Sequence, residues 1–195
     1  LYAMITCDEV YFDYDNSSIL ENINFTINKG EFVVIMGDNG CGKSTLLKIL
    51  NGIIFPSRGR YIVEGRDINS RYLKNNYNLS LFHQNIGFIF QEFNLLDNLT
   101  LRENISVPLV LDGISKDVIK DKVDKMSKKL GIEDQMDKYP QECSGGQRQR
   151  AAAARALVTD PKVIIADEPT GNLDTKTSHE LLQFLKDLNE TEGKT

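Results

Sequence analysis

The stretch "EFVVIMGDNGCGKSTLLKIL", Glu31–Leu50, decides the fold. Phe32 to Met36 form an unbroken apolar run, which predicts a strand buried on both faces. From Lys43 to about Asn51 the residues Leu46, Leu47 and Leu50 recur on one side of an expected helix. Between them lies "GDNGCGKST", with the G-x-x-x-x-G-K-[ST] spacing in the strand–loop–helix setting that this spacing requires. In such a loop the glycines, Gly37, Gly40 and Gly42, let the backbone N–H groups wrap the phosphates of a nucleotide. Asp38, Asn39, Cys41 and Thr45 belong to the same cradle, Lys43 reaches the β and γ phosphates, and Ser44 is the expected Mg²⁺ ligand. The loop reads as a nucleoside-triphosphate site.

Working outward, "AMITCDEVYF" and "INFTI" read as strands, divided by turn signals at Asp15-Asn16-Ser17-Ser18 and Asn28-Lys29-Gly30. "RYIVEG" and "NIGFIF" are further short strands. The Asn-rich "NSRYLKNNYNLSLFHQN" reads as a polar surface excursion. From Leu99 the period becomes helical, with Val118, Val123, Met126 and Leu130 on one face, Ser115 and Asp117 at a helix start, and Gly131 at a C-cap. A helix from Ser144 to about Thr159, the buried strand "KVIIADE" and the amphipathic "DTKTSHELLQFLKDLNE" complete the chain. Strands, a block of helices, then strand and helix predict an α/β fold with an inserted helical subdomain. The expected division is residues 1–92 for the first part of a nucleotide-binding core, 93–159 for the helical subdomain and 160–195 for the second part of the core.

Two more segments carry chemistry. A buried strand ending in Asp167 sets a carboxylate near a Mg²⁺ shell, and the adjacent Glu168 is placed to polarise an attacking water. Signalling GTPases typically carry glycine at that second position, so ATP is the expected substrate. In "CSGGQRQRAAAARAL", Cys143–Leu157, the residues Ser144, Gly145 and Gly146 open a long helix. That end offers free N–H groups and the positive pole of the helix dipole, a second place for an anion.

Composition narrows the field. With 195 residues, 26% of them charged, the chain has the makings of an ordinary globular protein of one or two small domains. A formal net charge of −5 lacks the basic excess of a general nucleic-acid binder. Three distant cysteines, Cys7, Cys41 and Cys143, form neither a zinc pattern nor a disulfide framework, which points to a reducing cytoplasm. No apolar run approaches the roughly 20 residues needed to cross a membrane, so a membrane role is expected to come through a partner.

Together "GDNGCGKST", "CSGGQ" and "VIIADEPTGNLD" resemble the ATP-binding subunit of an ABC transporter, across essentially the whole chain. "IGFIFQEFNLL", "LTLRENISVPL" and "ADEPTGNLD" are similar to the branch that serves lipoprotein release, macrolide export, antimicrobial-peptide export and cell division. The resemblance implies a P-loop NTPase (RecA-like) core with an antiparallel β portion and a helical insertion. It also implies why there are two anion sites. Two subunits, here expected to be identical, pack head to tail, and each ATP lies between one P-loop and the partner's Ser144-Gly145-Gly146-Gln147 loop.

By the same resemblance Tyr14, ahead of Tyr11, stacks on adenine, and Gln91 approaches Mg²⁺ and the attacking water. The segment "EFNLL" after it faces the membrane partner, and Asp174 crosses the dimer interface, or caps the following helix. The implied catalytic set is Glu168, Gln91 and Lys43, with Ser44, Gln91 and Asp167 around Mg²⁺. Arg148, Arg150 and Arg155 read as structural or solvated. Transmembrane permease subunits are the implied partners, the cytoplasmic face of a membrane the implied location, and nucleic acid is not expected.

Two departures stand out. Cys143 replaces the leucine usual before SGGQ, and cysteine can fill that apolar role. The chain opens at Leu1 and stops at Thr195, so both ends are expected to be cut. The family's histidine that touches the γ-phosphate then falls beyond Thr195, and neither His83 nor His179 can be assigned its role. The expectation is that this stretch binds ATP but hydrolyses it poorly. Two other readings compete with transport. One is a regulatory module of the cell-division kind, signalling through membrane partners without moving a substrate. The other is an ABC-type ATPase on DNA or ribosomes, which the short span of about fifty residues from Gln91 to Ser144 disfavours.

Overall fold

The computed structural model describes residues 2–14 and 17–195, which fall into two compact units, residues 1–82 with 186–195 and residues 83–185. Of the turn expected at Asp15–Ser18, Asp15 and Asn16 lie outside the described residues.

In the first unit β1 (Ala3–Tyr14) and β2 (Ser17–Asn28) pair antiparallel, and β3 (Arg58–Val63) and β4 (Arg66–Asp67) continue the sheet in the order β2-β1-β3-β4. The register slips between Cys7 and Val10, where Glu9 takes φ +49°. Gly59 opposite has no alternative, since a Cβ there would lie 2.0 Å from the Glu9 carbonyl oxygen. Helix α1 (Lys43–Leu50) packs on β2 and buries Leu46, Leu47, Ile49 and Leu50. The buried Tyr61 of β3 donates its hydroxyl to the Leu50 carbonyl at 2.6 Å, as an aromatic with a polar tip needs when buried.

Two expectations are corrected here. Phe32–Met36 is neither a strand nor buried: no ladder joins it to a described strand, and its side chains are 37–86% exposed. Apolarity reports a demand for cover, whereas a strand is made by its neighbour, and none of the described strands is in register with this run. The Asn-rich excursion is instead two helices, α2 (Ser70–Leu73) and α3 (Asn76–Asn85), with Leu73 and Phe82 buried. Its asparagines are the reason. Asn69 accepts from the Tyr72 N–H at 2.9 Å, and Asn75 from the N–H groups of Tyr77 and Asn78, so each starts a helix.

In the second unit β5 (Ile86–Ile89) and β6 (Val163–Ala166) form a parallel pair in the register Ile86↔Val163 to Ile89↔Ala166. Between them in sequence come α4 (Leu101–Leu111), α5 (Lys116–Leu130) and α6 (Gly145–Leu157), the inserted helical block. Thr100 and Glu103 form a reciprocal capping box on α4, and Gly131, at φ +63°, ends α5. Ser115 occupies the N-cap of α5 without a side-chain cap bond.

Leu101, Ile105 and Leu109 line up at i, i+4 and i+8 on α4, fully or almost fully buried, each worth about 1.5–3 kcal/mol of transfer free energy. The alanines of α6, Ala151 to Ala154 and Ala156, are buried, and their small size lets β5 come close. A Cβ on Gly87 would sit 2.4 Å from the Ala156 carbonyl oxygen. Asn104, fully buried, accepts from the Leu96 N–H at 2.7 Å and donates to the carbonyls of Leu96, Leu99 and Thr100, each at 3.0 Å. It thereby fixes residues 96–100 to the start of α4. Helix α7 (Thr175–Glu192) closes the chain. No helix among the described residues is long and apolar enough to cross a membrane.

Candidate functional site

The loop before α1 is shaped by its glycines. Gly40 and Gly42 hold φ +82° and +96°, the left-handed side that a residue with Cβ resists. Gly42 is the N-cap of α1, and no side chain caps that helix. Its first-turn amides therefore keep the anion-seeking character of a helix N-terminus. Lys43 folds back over the loop, donating from Nζ to the carbonyls of Gly37 at 2.7 Å and Asp38 at 2.8 Å, and the Cys41 N–H closes a turn on the Asp38 carbonyl at 3.3 Å. An uncapped helix start, a Cβ-free cradle and an ammonium anchored at its mouth fit a polyphosphate.

In the same unit the two candidate adenine-stacking tyrosines differ. Tyr11 already lies under the Arg58 guanidinium, 4.2 Å from ring to carbon, while Tyr14 is half exposed and meets Phe12 edge to face.

In the second unit the chemistry gathers at the C-terminal ends of the parallel strands. The Asp167 N–H donates to the Ile89 carbonyl at 3.0 Å, extending the ladder one step beyond β6. Glu168 then takes φ +41°, a conformation that costs a non-glycine residue about 1–3 kcal/mol and that persists where surrounding bonds impose it. Its Oε2 accepts from the Gln91 side-chain amide at 3.1 Å, and its carbonyl from the Gly171 N–H at 3.0 Å. Asn172 donates to the Gln91 carbonyl at 3.0 Å, and the buried Gln149 of α6 donates to the Pro169 carbonyl at 2.6 Å. Gln91 and Glu168, 77 residues apart in sequence, are thus brought side by side.

At the start of α6 Ser144 and Gln147 form a capping box: Ser144 Oγ accepts from the Gln147 N–H at 3.3 Å, and Gln147 Oε1 from the Ser144 N–H at 2.9 Å. A hydroxyl that accepts from an amide keeps its own proton to donate, so the cap does not disqualify Ser144 as an anion ligand. Gly146 lies against Thr177, where an added Cβ would come within 3.0 Å of Thr177 Cγ2. Thr177 in turn gives its N–H and hydroxyl to Asp174, at 3.0 and 2.7 Å, and those bonds hold the Asp174 carboxyl below its ordinary value. Asp174 therefore serves as the cap of α7, the plainer of its two expected roles. Cys143 is buried, its Sγ donates to the Tyr139 carbonyl at 3.4 Å, and burial pushes its thiol pKa up. It fills the apolar position before SGGQ.

Two residues that hold this arrangement, Asn172 and Gln149, carry no signal in the sequence, whereas Arg150 and Arg155, expected to be structural or solvated, are structural. Asn172 and Gln149 fix the loops on either side of Glu168. Arg155, whose guanidinium burial lowers from its ordinary value, donates to the carbonyls of Phe93 and Asn94. Arg150 donates to the Leu130 carbonyl at 3.1 Å and pairs with Glu180. One signal was available: Arg148 and Arg155 are seven apart on an alanine-rich helix, hence on one face.

Mg²⁺ takes hard oxygen donors together with water and phosphate, the donor type that the Ser44 hydroxyl offers in the first unit and the Asp167 carboxylate in the second. No group of three or more His, Cys, Asp or Glu among the described residues could hold a metal by itself.

Comparison with known proteins identifies the family. The family signature described as "ABC transporter" matches residues 20–171. The chain is 44% identical over 177 residues to the ABC transporter ATP-binding protein YtrE of Bacillus subtilis, covering 91% of this chain and 76% of that one. It is 45% identical over 176 residues to the bacitracin export ATP-binding protein BceA of Halalkalibacterium halodurans, covering 90% and 69%. The solved dimer of the ATP-binding cassette MJ0796 in a post-hydrolysis state with ADP and Pi superposes with a TM-score of 0.88 at 36% identity, over 98% of this chain and 85% of that one. A family match over most of the chain, relatives at 44% and 45% identity and this superposition agree, and the chain belongs to the ABC transporter family as an ATP-binding, ATP-hydrolysing subunit.

Proposed function

We propose that this ATPase powers export of a peptide, drug or lipid-linked substrate through transmembrane permease subunits, from the cytoplasmic face of a membrane. The observation that carries the hydrolytic part is the Gln91–Glu168 contact of 3.1 Å at the end of the parallel strand pair. Glu168 is the general base toward an attacking water, and the Gln91 amide orients the same water. Lys43 and the loop amides hold the β and γ phosphates. Ser44 and Asp167 would hold Mg²⁺, which when bound neutralises charge on those phosphates. The Ser144 hydroxyl and the free amides of Gly145 and Gly146 grip the γ-phosphate of ATP held by a second copy, so that ATP closes the dimer and its loss opens it. The dimeric MJ0796 structure supports that arrangement; the BceA relationship supports export, and the equal identity to a methionine import ATP-binding protein makes import the reading to test it against.

The test is light scattering on Glu168→Gln in the full-length protein, with and without ATP. Dimers only in the presence of ATP are expected. A monomer shown to hold ATP at saturation would overturn the shared-site reading.

A further inference from the structure

The loop that follows Gln91 is held in an unusual backbone by two arginines of α6. Phe93 and Asn94 are both left-handed, at φ +57° and +50°. Asparagine tolerates that region and phenylalanine does not, so the turn needs an outside hold. Arg155 supplies one: its guanidinium donates from Nη1 to the Asn94 carbonyl at 2.5 Å and from Nη2 to the Phe93 carbonyl at 2.9 Å. Two turns earlier, Arg148 lies over the Phe93 ring, 5.1 Å from its centre. A planar fork is suited to two adjacent carbonyls in a way an ammonium is not. On the other side Asn172 holds the Gln91 carbonyl, and the Gln91 side chain reaches Glu168. The backbone of this loop is therefore fixed at residues 91, 93 and 94, twice from the helix that begins at Ser144-Gly145-Gly146.

We infer that Arg155 is a positioning residue for Gln91, tying the loop that carries it to the signature helix, so that the amide meets Glu168 only while α6 holds the loop. The inference rests on the reading of Gln91 and Glu168 as the pair that faces the attacking water. It gives α6 a second task. One end of the helix presents the anion-binding turn, and its body sets the residue on which hydrolysis depends. A shift of the helix when the signature engages ATP is carried to Gln91 through the two carbonyl bonds.

The experiment compares kcat and KM for ATP in the full-length protein and its Arg155→Lys, Arg155→Gln, Gln91→Ala and Arg155→Gln/Gln91→Ala variants. Arg155→Gln is expected to lower kcat by about 10–100-fold, the scale of a misplaced catalytic group, with KM nearly unchanged. Arg155→Lys, which keeps the charge but loses the fork, is expected in between. The double variant should be no slower than Gln91→Ala alone, because both remove one function. Multiplying effects, or a raised KM with kcat intact, would overturn the inference.

These 195 residues contain no tryptophan, so Phe93→Trp places the one reporter within this stretch on the loop. Its emission should shift on adding Arg155→Lys, and an unmoved spectrum in that folded variant also overturns the tether. If Gln91→Ala alone keeps wild-type kcat, the reading of Gln91 fails, and the catalytic consequence of the tether falls with it. The reporter spectrum distinguishes that outcome from the absence of a tether.

Discussion

Gly40 and Gly42 lie two residues apart in the phosphate loop, both at positive φ, yet alanine should affect them differently. At Gly40 a Cβ meets nothing within 4 Å. The substitution pays only left-handed strain, about 1–2 kcal/mol, less about 0.4–1 kcal/mol recovered because alanine restricts the unfolded chain. The net is roughly 0.5–1 kcal/mol. At Gly42 φ is +96°, and the Cβ would come within 2.9 Å of Leu20 Cδ2 and 3.1 Å of the Ile19 carbonyl oxygen. The leucine methyl can swing away, but the carbonyl belongs to strand β2 and cannot move without disturbing its ladder. Strain of about 2 kcal/mol and overpacking of about 1–3 kcal/mol leave a net loss near 3 kcal/mol after the same correction.

For a chain of this length each kcal/mol shifts the melting midpoint by about 2–4 °C. Melting followed by circular dichroism should therefore show drops of roughly 6–12 °C for Gly42→Ala and about 1–4 °C for Gly40→Ala. ATP titration should reverse the order of specific effect. Gly40→Ala, still folded, places a methyl on the open side of the loop and should weaken ATP by about 5–150-fold, the equivalent of 1–3 kcal/mol. Equal melting losses, or a Gly40→Ala protein that binds ATP as the wild type does, would refute the reasoning.

Three further outcomes follow from other positions. Cys41 is exposed, while Cys7 and Cys143 are buried and burial raises the Cys7 thiol to about 12, so a thiol reagent should label Cys41 first and ATP should slow that reaction; early labelling of Cys7 would contradict the packing. Gly87→Ala should destabilise by about 1–3 kcal/mol or more, because its Cβ meets the Ala156 backbone rather than a side chain, measured as a lower urea midpoint; an unchanged midpoint would mean that β5 and α6 are further apart than described. Asp174 is held below its ordinary value of 3.8 by Thr177, so its contribution is fully present above that value and is lost as pH falls through the lowered folded value. Asp174→Ala should flatten the acid end of a melting-midpoint profile, and a profile parallel to wild type would remove Thr177 as the cause.

The motifs were legible because their chemistry is local. A phosphate loop, a capped helix start and an acid at a strand end each need their residues within a few positions of one another. The asparagine-capped helices α2 and α3 show the limit: Asn69 and Asn75 looked like polar surface until their side chains were seen starting helices. Phe32–Met36 shows another, because an apolar run does not name the strand that would cover it. The clamps were illegible for the same reason. Arg155, Asn172 and Gln149 act on carbonyls 20–81 residues away, and a backbone carbonyl leaves no mark in sequence.

Asn104 has a consequence for recognition. It ties both the N–H and the carbonyl of Leu96, so the loop carrying this half-exposed leucine has already lost the freedom that docking would otherwise take from it. Ordering a mobile side chain at an interface costs about 0.5–1.5 kcal/mol, more when its backbone must be ordered too. A partner that closes over Leu96 meets a preorganised apolar knob. The affinity gained there comes from entropy already surrendered in folding, through an asparagine that no partner touches.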